Sequence, residues 1–237
     1  MALNSITRWS ALRRIIPLAL SLLLVSLAAG AQEILTADRF LESVGKKYAE
    51  IKDYQAKVSI VSGKADMKGV LIHKAPALLR IDFSVPEEQV IVFNGDSLTV
   101  YLPEYRAVLS QDVQSGGSSS SANLASARGL SIMRRNYVAG FAVGPAPVPL
   151  SEGSSELVVK LSLSRRSLSE GFRELTVSVV PDTLLIRRIE GKTIADETVI
   201  IEFSDIILDQ GIPEARFVYD SPASANLYNN FLFKDTN

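Results

Sequence analysis

His73 is the only histidine in a chain of 237 residues that has no cysteine. A serine nucleophile relayed through histidine would have to be built on that one side chain, and thiolate or multi-histidine metal sites have no ligands to draw on. Neither a glycine-flanked serine elbow nor a phosphate-cradling glycine loop occurs in the sequence. Carboxylates remain. Glu87-Glu88 follow Pro86 in a turn, and Asp205 and Asp209 fall near the end of a strand pattern, where acids are solvated or shape turns. A hydrolase that uses carboxylates alone needs paired acids facing one cleft, whereas these read as turn and surface groups. No catalytic residue, metal ligand or cofactor is assigned.

More informative spacing lies between Leu79 and Tyr105, LRIDFSVPEEQVIVFNGDSLTVYLPEY. Side chains alternate along a strand, so Leu79, Ile81, Phe83 and Val85 share one face and Arg80, Asp82 and Ser84 the other. Asn94-Gly95 marks a hairpin. A loop of Asn94-Gly95 pairs Ile91 with Leu98, and a loop of Gly95-Asp96 pairs Phe93 with Leu98. Either register groups Ile91 and Phe93 with Leu98, Val100 and Leu102. A three-residue turn at Pro86–Glu88 would set Phe83 beside Ile91, which extends one apolar face across three strands. Such a face binds apolar ligands or is covered by the chain itself, and alternation has the same signature in both cases.

The elements around this face follow from periodicity. Thr36 is a candidate N-cap, and Phe40, Leu41, Val44, Tyr48 and Ile51 recur at helical spacing, which predicts an amphipathic helix over 36–51. Strand alternation with turn residues runs from Tyr54 to about Gln111. The polar QSGGSSSS segment, Gln114 to Ser121, reads as a loop within the domain. Leu124, Ala127, Leu130, Met133 and Tyr137 then predict a second helix, whose Leu130 and Met133 are candidates to cover the apolar face. GPAPVP, Gly144 to Pro149, ends regular structure. Five further strand patterns follow: ELVVKLSLS, RELTVSVV, TLLIRRIE, ETVIIEFSDII and ARFVYD. Many short strands and few helices give a mainly β, α+β chain with a curled antiparallel sheet.

Arg8, Arg13 and Arg14 precede an apolar run, Ile15 to Leu27, and small residues follow at Ala29-Gly30-Ala31. Residues 1–31 therefore read as a secretory signal cleaved near Ala31–Gln32, with residues 32–237 as a single domain in the periplasm. A net charge of −1 argues against nucleic acid as a partner. Among the arginine pairs, Arg134-Arg135 fall on the second helix, where they are candidates to meet an acidic partner or an anionic surface.

The segment GVLIHKAPALLRIDFSVPEEQVIVFNGDSLTVYLPEY, Gly69 to Tyr105, resembles periplasmic outer-membrane lipoprotein carriers of the LolA type in the order and spacing of its strands and turns. ETVIIEFSDIILDQGIPEARFVYDSP, Glu197 to Pro222, is similar to that family's carboxy-terminal pattern. The resemblance implies an incomplete, strongly curled antiparallel β-barrel with an amphipathic N-terminal helix and a helical lid over an apolar interior. It implies a non-enzymatic, monomeric carrier of acylated lipoproteins, loaded by an inner-membrane ABC exporter and unloaded at an outer-membrane acceptor. The alternative on the same scaffold is a periplasmic sensor of lipid or lipoprotein, or a carrier of another hydrophobic ligand. The family's arginine before the proline that follows its second strand, which bonds the lid, is here Ala75 before Pro76. His73 has the parity for that role, and Lys74 faces the other way.

Overall fold

Thr36 accepts a hydrogen bond on its hydroxyl from the Arg39 N–H at 3.3 Å and so starts helix α1, Ala37–Glu50. Phe40, Leu41, Val44 and Tyr48 form its buried stripe, and Lys46 pairs with Glu42 on its wet side. The computed structural model describes residues 35–112 and 125–230. The expected signal segment with its processing point, the Gln114–Ser121 loop and Leu124 lie outside the described residues.

Six strands follow α1 as a meander: β1 (Asp53–Ser62), β2 (Ala65–Lys74), β3 (Leu78–Val85), β4 (Glu87–Phe93), β5 (Ser97–Leu102) and β6 (Ala107–Asp112). Helix α2 spans Ala127–Asn136, capped by the Ser126 hydroxyl, which accepts from the Gly129 N–H at 3.1 Å. A second meander contains β7 (Tyr137–Phe141), the two-residue β8 (Val148–Pro149), β9 (Leu157–Arg165), β10 (Phe172–Val179), β11 (Ile186–Thr193) and β12 (Thr198–Leu208), and β13 (Asn226–Asn229) ends the series. The strands form one open sheet in the order β13-β6-β5-β4-β3-β2-β1-β12-β11-β10-β9-β7, with β8 beside β7 on β9. All neighbours are antiparallel except β13 and β6, which run parallel.

Leu79 and Ile81 of β3 share one core cluster with Leu161 of β9 and Val177 of β10, strands far apart in the sheet order. The sheet must therefore curl around a common interior, and α1 and α2 contribute Leu41, Val44, Leu130 and Met133 to the same cluster. This is the expected mainly β architecture with an incomplete barrel and covering helices.

Three expectations are corrected. The second helix begins at Ala127 among the described residues, and Tyr137 opens β7 instead of closing the helix. GPAPVP does not end regular structure, because Val148 and Pro149 pair with β9. ARFVYD is not a strand: Glu214–Phe217 is a 3-10 turn after Pro213. That stretch belongs to an extended strap, residues 209–225, whose Ile212 and Phe217 pack on Ile72 and Leu78 of the outer face. The strap bonds to side chains instead of a ladder. Asp53 accepts the N–H groups of Gln210, Gly211 and Ile212 at 2.7, 3.1 and 3.2 Å. Lys74 donates to the Ile212 carbonyl at 2.7 Å, and Arg80 donates to the Arg216 carbonyl at 3.1 Å.

Candidate ligand-binding site

The inward face is a set of cross-strand rows. Leu208, Tyr54, His73, Leu79, Phe93 and Leu98 are successive partners from β12 through β5. The next row contains Leu71, Ile81, Ile91 and Val100. Phe93 pairs with Leu98 around Gly95-Asp96, which selects one of the two hairpin registers. Ile91 lies opposite Ile81 instead of Phe83: the expected three-residue turn at Pro86–Glu88 does not form, since β4 begins at Glu87 and Glu87 pairs with Ser84, and a register shift between Asp82 and Ser84 restores the parity. Odd positions still meet odd positions, so the apolar face is continuous.

Val85 departs from it. A β-bulge between Lys68 and Gly69 on one side and Phe83 and Val85 on the other sets Val85 against Lys68, an outer-face residue, and leaves Val85 48% exposed. Gly69 sits at the bulge, where β3 approaches so closely that an added Cβ would lie 2.3 Å from the Asp82 carbonyl oxygen. Leu79, Ile81, Phe83 and Phe93 are buried, while Ile91, Leu98 and Val100 are half-buried. Leu130 and Met133 of α2 are buried in the same cluster as the four buried strand residues. Phe83 also lines a cleft of about 450 Å3 together with Val58, Gly69, Phe203, Leu150 and Arg187. The inward face thus reaches a cleft wall at its Phe83 end.

His73 is not a surface latch. Its ring is buried and stacks on Tyr54 with centroids 5.1 Å apart. Neither ring nitrogen has a hydrogen-bond partner among the described residues. Burial pushes the imidazole pKa down to about 4, against the opposing pull of the Asp53 charge. Tyr54 in turn donates its hydroxyl to the Ala125 carbonyl at 2.8 Å, just before α2. Burial pushes the Tyr48 phenol up to about 12, and its oxygen accepts the Ile186 N–H at 3.1 Å.

Arg134 bonds within the chain, to Asp38 at 3.1 Å and Glu42 at 3.3 Å on α1. Those bonds, the hydrogen bond to Asp38 foremost, hold its pKa up. Arg135 donates to the neighbouring Asn136 side chain at 3.4 Å. Of the acids considered for chemistry, Asp205 pairs with Lys57 at 2.7 Å, Asp209 accepts the Lys52 N–H at 2.9 Å, and Glu87 and Glu88 are exposed. Among the described residues no group of acids or histidines is placed to hold a metal ion. No helix among them is long and apolar enough to cross a membrane. The sequence reading missed Asp53 and Tyr54. The alternation marks Tyr54 as inward-facing, but no local signal marks Asp53 as the anchor of a strap more than 150 residues away.

The pattern of a family described as outer membrane lipoprotein carrier protein LolA matches residues 55–220. Comparison with curated proteins by sequence finds no match. An uncharacterized conserved protein from Thermus thermophilus superposes with a TM-score of 0.53 at 15% identity, covering 81% of this chain and 98% of its own. A putative outer membrane lipoprotein-sorting protein domain from Vibrio parahaemolyticus gives 0.44 at 10% identity, covering 76% and 95%. The lipoprotein LppX of Mycobacterium tuberculosis gives 0.47 at 9% identity, covering 75% and 97%.

Proposed function

The chain belongs to the LolA family of outer membrane lipoprotein carrier proteins, and from that premise we propose that it is a periplasmic carrier, without enzymatic activity, for acylated lipoproteins. In this reading it receives them from an inner-membrane ABC exporter and releases them to an acceptor at the outer membrane. The observation that carries the proposal is the continuous inward face of Leu79, Ile81, Phe93, Ile91, Leu98 and Val100, of which all but Val100 share one core cluster with Leu130 and Met133 of a helix whose polar side is tied to α1 by Arg134. A short helix tied at the surface can be displaced without unpairing any strand. Each methylene of an acyl chain buried in its place contributes about 0.8 kcal/mol. The cover must also resist displacement enough for cargo to be released, since a carrier with one overwhelmingly favoured state would not exchange.

Saturable binding of an apolar fluorescent probe, displaced by a triacylated lipopeptide and not by the same peptide without acyl chains, is the expected result. A folded protein that binds neither probe nor lipopeptide would overturn the reading and leave the helices as plugs of a permanent core.

A further inference from the structure

The row Tyr54, His73, Leu79, Phe93, Leu98 is apolar except at its second and first members, and they differ in how their polar atoms are used. The Tyr54 hydroxyl is committed to the Ala125 carbonyl. His73 is 5% exposed, and both of its nitrogens lack a partner among the described residues. A buried imidazole without hydrogen bonds costs free energy, and an apolar residue of similar shape in this row would avoid that cost. Stacking on Tyr54 accounts for an aromatic ring at this position, but not for the nitrogens.

Resting on the carrier reading above, we propose that His73 is the polar anchor of the interior, donating one N–H to the carbonyl oxygen at the head of a bound acyl chain. Every acyl chain begins at a carbonyl, whether ester or amide, so the donor recognises what all such cargo shares. Burial keeps the imidazole neutral. A neutral donor suits a carbonyl and has no charge to offer a phosphate or a carboxylate. From Leu79, beside His73, to Phe83 is four residues of strand, about 13 Å. A chain anchored at His73 runs past Ile81 and ends by Phe83 and the cleft beside it. His73 is also one residue from the end of β2, so the head group leaves at the Ala75–Ala77 turn.

The test uses protein purified after export from cells expressing the full chain, with methyl laurate and pentadecane, matched in heavy atoms, competing against the same fluorescent probe. The ratio of their affinities is compared between wild type and His73→Phe, which keeps the stacked ring and removes the donor; the ratio cancels the difference in transfer from water. A neutral hydrogen bond predicts that the preference for the ester falls about fivefold in the variant. Because His73 is the only histidine, histidine-specific nitrogen-15 labelling reports on it alone, and its ring resonances should shift with ester and not with alkane. That readout stands even if the variant does not fold. Equal ratios in both proteins, or resonances that respond identically to both ligands, would overturn the anchor and leave His73 as a packing residue while the acyl cavity stands. Failure of both ligands to displace the probe from wild type would overturn the cavity itself.

Discussion

The Arg134 guanidinium sits between Asp38 and Glu42, joining α2 to α1 by one cation and two carboxylates at 3.1 and 3.3 Å. All three side chains are partly exposed, so the pairing is screened by salt and adds little to global stability. Its place is between α1 and the helix that contributes Leu130 and Met133 to the core cluster. Arg134→Met should leave the melting temperature within a few degrees and speed uptake of an apolar probe several-fold. Salt should speed uptake by wild type and not by the variant, and a salt-independent rate in wild type would argue against a latch at this place.

Asp53 fixes the outer strap through three backbone donors while itself only 3% exposed. Asp53→Ala orphans those N–H groups and should cost about 3 kcal/mol in urea unfolding. Asp53→Asn, which keeps one acceptor oxygen, should lie between. A loss no larger than that of an ordinary surface alanine would mean that the strap does not depend on this carboxylate.

His73 gives the protein an acid-sensitive component. Its pKa falls from the ordinary 6.5 to about 4 on folding, so the unfolded chain binds the extra proton between those values. The contribution is intact above about pH 6.5 and is lost as pH falls towards about 4, to a total of roughly 3 kcal/mol. His73→Phe should flatten the stability profile over that window relative to wild type. Parallel profiles would show that the ring titrates freely in the folded state.

The bulge beside Gly69 makes opposite predictions for two neighbouring apolar residues. Val85→Lys, at an exposed site paired with Lys68, should leave stability and probe binding nearly unchanged. Phe83→Ala should cost about 3–5 kcal/mol and weaken probe binding. Equal sensitivity at both positions would place Val85 on the inward face after all.

Gly69→Ala tests the close approach directly. A Cβ 2.3 Å from the Asp82 carbonyl oxygen and 2.9 Å from the Phe83 Cα meets backbone on both counts, so the strand pair must separate. A loss of about 2–4 kcal/mol is expected, well above the few tenths that alanine at an open glycine would change. Thermal unfolding of the single variant is sufficient to decide.

Helix α1 was legible because its buried stripe and cap are local, from Thr36 to Tyr48. The parity of β4 and β5 was legible because the Asn94-Gly95 hairpin fixes which faces meet, whereas that of β3 and β4 rests on a register shift in place of the expected three-residue turn. Val85 was misplaced because a bulge depends on how two backbones approach, which alternation does not record. ARFVYD has the composition of a strand in Phe217, Val218 and Tyr219, whereas the bonds of the strap around it are met by Asp53, Lys74 and Arg80 from distant parts of the chain. That the nitrogens of His73 lack a partner among the described residues was equally invisible, since it depends on the whole surrounding interior.

The pairing of β1 with β12 brings Tyr54 to Leu208, while β1 to β6 on one side of it and β7 to β12 on the other pair along the sequence, and β13 adds itself to β6 at the far edge. In kinetic terms the two meanders close short loops and the seam between them closes a very long one, so the seam is expected to form after them. Until it forms, the inward residues of β1–β5 have only half of their interior to face. Newly made chains would pass through a stage in which this apolar surface is open to any apolar neighbour, and prompt closure of that seam guards the chain against its own stickiness.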